Sequence, residues 1–485
     1  MIKKPIYLLI TLCILSVIAY SQDTPGITSG GTENDAGYSI ALTKDGGAII
    51  AGKTRSYGYG CNDVSLIKLN QHYQIIWSVI IGDEYQNTAR SIIEVDDGYI
   101  VSGETWSNTH GSPGIYLFKV DYNGEILFEK TFGLNSLDNC FDVIETSSGN
   151  LLLVGYTRTI DKYGGVYLIM TDSLGNKIWD QIYGFEYDEY AFEVLEDDEN
   201  NFWIIGSRDG FFDDVHANFK THDADIWLLK IDTNGNELES KIYGANSHDF
   251  GNSITKASDG GYFLFGSSQS YGAGSFDMML TKIDNEGNEE WFTTYGGENF
   301  EYGMSIDRNI EGNLFMLGTT KSYGMDGSSD IYLIKSDELG NEIWTTIIGG
   351  SKRETGQQVI ATNDSGCIVV GTTRSYGLGG DDIFFTKIGA NGDIEVFANS
   401  NELLADEYVI APNPVHDQGK VILHEGINDD HQLELISISG IDVGVFNISS
   451  NNPYFDATFL PKGIYIYKLK NTSTNKQVNG KLIIN

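Results

Sequence analysis

Seven positions, Asp35, Asn87, Asp138, Glu189, Asp249, Glu301 and Glu354, recur about every fifty residues, and six of them are acidic. Two carboxylates facing each other at about 5–9 Å can act as acid and base on a glycosidic bond. A wider ring of them can hold a cation or a polar ligand such as a sugar. A second acidic set, Asp63, Asp225, Asp277, Asp330 and Asp382, recurs just before another apolar run. Two stretches break the repetition. Residues 209–225 carry Asp213, Asp214, His216, His222 and Asp223, a mixture able to ligate a transition metal, although the spacing matches no strong metal motif. Trp106-Ser107-Asn108-Thr109-His110 replaces the Ser-Tyr-Gly found in other repeats and places an aromatic ring and an imidazole where a glycan could be touched. The competing structural role for the recurring carboxylates is to accept N–H bonds from their own loops, and repetition in every unit favours it, because a catalytic pair needs only two special positions.

The elements that position these residues follow from a second recurrence. Gly52, Gly103, Gly155, Gly206, Gly266, Gly318 and Gly371 are separated by 51, 52, 51, 60, 52 and 53 residues, each after a short apolar run. Each unit holds four short apolar or alternating segments, strands a to d, separated by Gly, Asp and Asn turns. A radial array of such units predicts an all-β, seven-bladed β-propeller, with repeats near 30–82, 83–133, 134–184, 185–244, 245–297, 298–350 and 351–400. The a–b connections carry Asp45-Gly46-Gly47, Asp97-Gly98 and their equivalents. The c–d connections read Asp121-Tyr-Asn-Gly124 or Asp232-Thr-Asn-Gly235, a type I turn closed by a glycine rather than a calcium loop. Aromatics aligned on strand d, Trp77, Phe128, Trp179, Trp291 and Trp344, are expected between blades. Lysines ending strand c, Lys68, Lys119, Lys230, Lys282, Lys335 and Lys387, are read as outer-edge charges that block edge pairing. Residues 24–31 resemble the tail of a strand d and are expected to add to the seventh blade.

The first 21 residues, with Lys3-Lys4, an apolar core and Ala19-Tyr20-Ser21, read as a secretory signal peptide. Cys13 follows Leu12, not the small residue a lipoprotein signal needs. Removing the segment leaves 29 basic against 68 acidic residues, which excludes nucleic acid and anionic membranes as partners and leaves no membrane span. Cys61, Cys140 and Cys367 occupy different repeat positions and imply free thiols rather than a disulfide framework.

The repetition stops after Gly392-Asp393, and a polar linker over 398–407 leads to Pro412-Asn413-Pro414, a Gly440 turn, Gly463-Ile464-Tyr465 and a terminal strand from Lys481 to Ile484. This module, 401–485 with its linker, resembles the type A C-terminal sorting domain of the type IX secretion system of Bacteroidota, with Ala411 where an aromatic is usual. The resemblance implies a small Ig-like β-sandwich, recognition by the outer-membrane translocon, removal by its sorting peptidase, and release or attachment at the surface. The sorting signal would rest on Pro412, Asn413, Pro414, Gly463, Tyr465 and Lys481. The D-G-G-Y-x-x-x-G-x-T units also resemble bacterial secreted propeller proteins, a class without one shared activity.

The residues point to a secreted or cell-surface, non-enzymatic protein that binds a glycan or protein. The ligand-binding candidates are Trp106, His110, Asp35, Asp138, Glu189, Asp249, Glu301 and Glu354, with His216, His222, Asp213 and Asp223 as metal candidates. No catalytic residue and no cofactor is assigned, and a divalent cation such as calcium is left open. The alternatives are a polysaccharide hydrolase or lyase using the carboxylates, and a structural matrix protein.

Overall fold

The computed structural model describes residues 25–395 except 59–60, 108–112, 135–136, 159–163, 185–188 and 209–223, and then 408–411, 418–423, 431–437, 442–449, 454–461, 463–472 and 477–484. The expected signal peptide, His110, the four metal candidates of the fourth unit, the 398–407 linker and Pro412-Asn413-Pro414 lie outside the described residues. The chain divides into two compact units after Glu395.

The first unit is all-β, a propeller-like succession of four-stranded antiparallel sheets, each in the order a-b-c-d. Sheets I to VII span 36–81, 87–132, 137–184, 190–243, 249–295, 301–348 and 354–395. Strands b and c are buried along nearly their whole length, and throughout in sheets V to VII, as in Leu314–Thr320 and Asp330–Ser336, whereas strand d alternates, as in Ile126–Phe132. That gradient follows the apolar runs of b and c and the polar-apolar alternation of d. Sheet VII has a two-piece outer edge: Ile394–Glu395 pairs with one end of strand c, and the N-terminal Ile27–Ser29 pairs with the other, Ile27 opposite Phe385.

Strand a carries the same irregularity in every sheet, a β-bulge such as that between Gly37 and Ser39 or Gly303 and Ser305. The bulge brings a strand-a carbonyl against the recurring glycine of strand b. A Cβ on Gly52 would lie 1.9 Å from the Ala36 oxygen, and one on Gly318 would lie 2.1 Å from the Tyr302 oxygen. The glycine is therefore required by close approach of backbone, not by a left-handed φ.

The bulge also turns the next side chain of strand a toward the following sheet. Ser39, Ser91, Asp142, Glu193, Ser253, Ser305 and Gln358 each accept the N–H of a strand-a residue one sheet on, from Ile92, Val143, Val194, Ile254, Ile306, Val359 and, closing the circle, Ile40, at 2.7–3.4 Å. Farther out, Trp77, Trp179 and Trp344 donate their indole N–H to the c–d turn of the next sheet, at Tyr122, Thr233 and Ala390. The strand-c lysines are not outer-edge charges. Lys68, Lys119, Lys282, Lys335 and Lys387 are buried, and four of these pair with the a–b hairpin aspartates Asp45, Asp97, Asp259 and Asp364. Lys335 donates to the Ser365 carbonyl instead, and burial lowers its pKa. The stem of each lysine runs under the hairpin, so its charge fixes the turn rather than guarding an edge.

The second unit has two antiparallel sheets. One contains Tyr408–Ala411, Gln418–Leu423 and Tyr454–Asp456. The other, in order, contains Asp442–Ile448, His431–Ser437, Gly463–Asn471 and Gln477–Ile484. Leu433, Leu435, Phe455, Leu469 and Leu482 form its core.

Candidate functional site

The recurring carboxylates sit where strand a begins, at the end of the sheets that carries the b–c and d–a loops. Asp35, Asp138, Glu189, Asp249, Glu301 and Glu354 are all 0–1% exposed. Each is bound by its own unit. Glu354 accepts the Thr373 hydroxyl at 2.8 Å, the Ser375 N–H at 3.0 Å and the Gly350 N–H at 2.8 Å. Glu301 repeats the pattern with Thr320, Ser322 and Gly297, and Asp35 with Thr54, Arg55, Ser56 and Gly31. In sheet II the acceptor is the Asn87 amide oxygen, bonded to Thr105. In sheet IV an arginine replaces the threonine, and Arg208 stands 3.8 Å from Glu189. The group that binds the carboxylate is the Thr of the G-x-T sequence, so the whole repeat signature is one loop-organising device.

The second acidic set lies beside the first, one sheet back. A glycine separates three of these pairs: a Cβ on Gly30 would fall 2.0 Å from Asp382 Oδ1 and 2.7 Å from Asp35 Oδ2, and Gly244 and Gly296 stand likewise between Asp225 and Asp249 and between Asp277 and Glu301. Burial, reinforced by the Asp35 charge, pushes the Asp382 carboxyl up to about 7. Burial also raises Asp277 and Asp330. A raised carboxyl beside a second carboxylate is what an acid–base couple would require, but Asp382 is 1% exposed and Asp35 0%. The Asp232 carboxylate is occupied by the Asn234 and Asn236 N–H groups of its hairpin. Among the described residues no cluster of three or more His, Cys, Asp or Glu is arranged for a metal.

Two features were not singled out in the sequence. Asp142 and Glu193, in adjacent positions of the central hydrogen-bond ring, are its two acidic members. Burial pushes the Glu193 carboxyl up to about 8, with the Asp142 charge adding to the effect, and Asp142 is raised too. The second is a run of contacting aromatic rings, two contacts stacked and two tilted, from sheet V to sheet VI. His248 stacks on Phe250 at 6.0 Å between centroids, Phe250 on Phe276 at 5.7 Å, Phe276 meets Tyr302 at 5.3 Å, and Tyr302 meets Phe300 at 5.7 Å. Lys321 Nζ closes the run 4.9 Å above the Phe300 ring. His248 Nδ1 accepts the Ala224 N–H, which fixes its ring in place. Trp106 is 37% exposed at the same end of sheet II, and its backbone N–H donates to the Gln86 carbonyl.

Residues 409–485 match the family described as the secretion system C-terminal sorting domain. The chain carries a type IX sorting domain. Within that domain Gly463 pairs with Ile484, Lys481 pairs with Ile466, and Tyr465 is buried with its hydroxyl donated to the Pro461 carbonyl. The domain directs export to the cell surface or beyond it, through the type IX machinery. No helix among the described residues is long and apolar enough to cross a membrane.

Similarity to whole proteins is distant. The extracellular domain of the one-component system BT4673 from B. thetaiotaomicron aligns over 99% of this chain and 58% of its own length, at 12% identity and a TM-score of 0.40. PorZ, a surface component of the type IX system of Porphyromonas gingivalis, aligns over 98% and 86%, at 9% identity and a TM-score of 0.32. The regulatory protein FlaEY of Caulobacter vibrioides is 25% identical over 177 residues, and the aligned region is 18% of that protein's length. At these similarities no role passes to the chain bearing the sorting domain.

Proposed function

We propose that this chain is a non-enzymatic binding protein displayed or released by the type IX system. In this reading a seven-bladed propeller takes a glycan or protein ligand on its b–c and d–a loop face, and an Ig-like sorting domain delivers it. The observation that carries the proposal is the contiguous run of rings from His248 to Phe300, partly exposed on the loop face of two adjacent sheets. Rings in such an array offer rigid, amphipathic contact area at small entropic cost. The hydrolase or lyase alternative draws on the Asp382–Asp35 pair and its raised pKa. Burial of both side chains keeps them from a scissile bond, and the hydroxyl and N–H groups around Asp35 give it a structural task. The test is incubation of the exported protein with a polysaccharide and protein panel, scoring retention and new reducing ends together. Retention without new ends is expected. New ends would overturn the reading in favour of the enzyme, and neither signal would favour a matrix protein.

A further inference from the structure

The chain contains seven arginines, and six of them lie at one end of the sheets. Arg55, Arg158, Arg208 and Arg374 stand at or just past the end of strand b. Arg353 directly precedes strand a of sheet VII, and Arg90 lies in the bulge of sheet II. The seventh, Arg308, ends its strand at the opposite side, where it binds Glu338. This concentration occurs on a protein of formal net charge −37. It also falls on the loop face that carries the aromatic run, and the two meet where Lys321 lies over Phe300. Sheets VI, VII and I carry Lys321, Arg374 and Arg55 on this side, all exposed, interspersed with the exposed Glu298, Asp326 and Glu33 of the same loops. Arg353 and Arg374 converge on Asp381 at 3.0 and 3.1 Å, so their guanidinium forks are already arranged around one carboxylate.

We propose that this face binds an anionic polysaccharide, with a pyranose ring lying on the exposed Tyr302, which the stacked Phe250 and Phe276 back, and with carboxylate or sulfate groups of the polymer on Lys321, Arg374 and Arg55. The proposal rests on the binding reading above and adds the chemical class. Aromatic faces accept the apolar C–H face of a sugar, and guanidinium forks suit planar or tetrahedral oxyanions. Elsewhere the surface is acidic and repels the same polymer, so charge selects both the ligand and the face it approaches.

Affinity electrophoresis of the exported protein through gels containing polygalacturonate, dextran or polyglutamate tests the proposal at low and high salt. The expected result is retardation by polygalacturonate alone, weakened at high salt. Tyr302→Ala and Lys321→Ala should each weaken it about tenfold. Lys44→Ala, on the opposite face, should leave it unchanged, and melting curves of all three variants exclude misfolding. Equal retardation by dextran, insensitive to salt, would overturn the anionic assignment and leave the binding reading intact. Equal retardation by polyglutamate would show that charge alone is read and would overturn the sugar assignment. No retardation in any gel, with no ligand from the panel retained, would overturn both.

Discussion

Gln358 of sheet VII accepts the N–H of Ile40 of sheet I at 2.7 Å, joining residues 318 positions apart. Six equivalent bonds link the other successive sheets, so this one converts a linear array into a closed ring. The Ile27–Ser29 strand joins the same two ends from outside, by pairing only three residues. Closure is also carried by the Asp35 N–H, which donates to the Asp381 carbonyl at 2.6 Å, and by the Asn34 side chain, which accepts the Asp381 N–H at 3.1 Å.

Gln358→Leu removes the acceptor and leaves the Ile40 N–H buried without its partner, a loss of ~1–3 kcal/mol. Ser305→Ala makes the same deletion between sheets VI and VII. Both should lower the denaturation midpoint, and the glutamine change should in addition raise proteolysis near the N-terminal strand. Equal cleavage rates in the two variants would show that the Gln358 bond is no more important than its neighbours.

The Asp142–Glu193 pair gives stability a pH dependence of defined sign. The Glu193 carboxyl is pushed up to about 8 from an ordinary 4.5, chiefly by burial. Asp142 and Asp307, which bear on it, are raised as well. The folded protein then holds protons that the unfolded chain releases, so stability falls as pH rises from about 4.5 through 8. Glu193→Gln keeps an acceptor for the Ile254 N–H and removes the titration. Its melting temperature should vary less between pH 5 and pH 8 than that of the parent, with a residual slope from Asp142, Asp307 and Asp382. Parallel curves would refute the assignment.

Gly318→Ala tests the close approach on which every sheet depends. The added Cβ would meet the Tyr302 oxygen at 2.1 Å and Met278 Sδ at 2.6 Å, and the carbonyl cannot move without breaking the bulge. A loss of ~3 kcal/mol or more is expected by chemical denaturation, at the upper end of overpacking effects. Gly149→Ala, where a Cβ meets nothing within 4 Å but φ is +78°, should cost about 1 kcal/mol. Reversal of that order would show that crowding is not why the glycine recurs.

Much of this architecture is legible in the sequence because its parts recur. The glycine of strand b, the carboxylate of strand a and the threonine two residues past the glycine keep fixed spacings, and the structure joins them in one loop. The threonine was the available signal that the carboxylates turn inward, since Thr54, Thr320 and Thr373 stand ready to donate. The lysines misled because a charge at a strand end looks like an edge device until the hairpin aspartate above it is placed. The aromatic run could not be found by aligning units. Phe250 and Tyr302 share one register position, but Phe276 and Phe300 come from loops before strands c and a. Only the fold brings them together.

The sorting domain can be disabled without touching the propeller. Leu469 is fully buried among Leu433, Leu435 and Leu482 in the second compact unit, so Leu469→Asp places an unpaired charge in that core and should unfold it. The propeller shares none of that core, and its melting transition in the purified variant should stay within a degree or two of the parent's. Export should fail, with the chain accumulating in the periplasm, as it should when 409–485 is deleted outright. A chain that folds, carries the substitution and still reaches the surface at the parental level would mean that the domain is recognised through a short linear signal rather than as a folded unit. Export of the deletion variant would mean that the domain is not what sends this protein out.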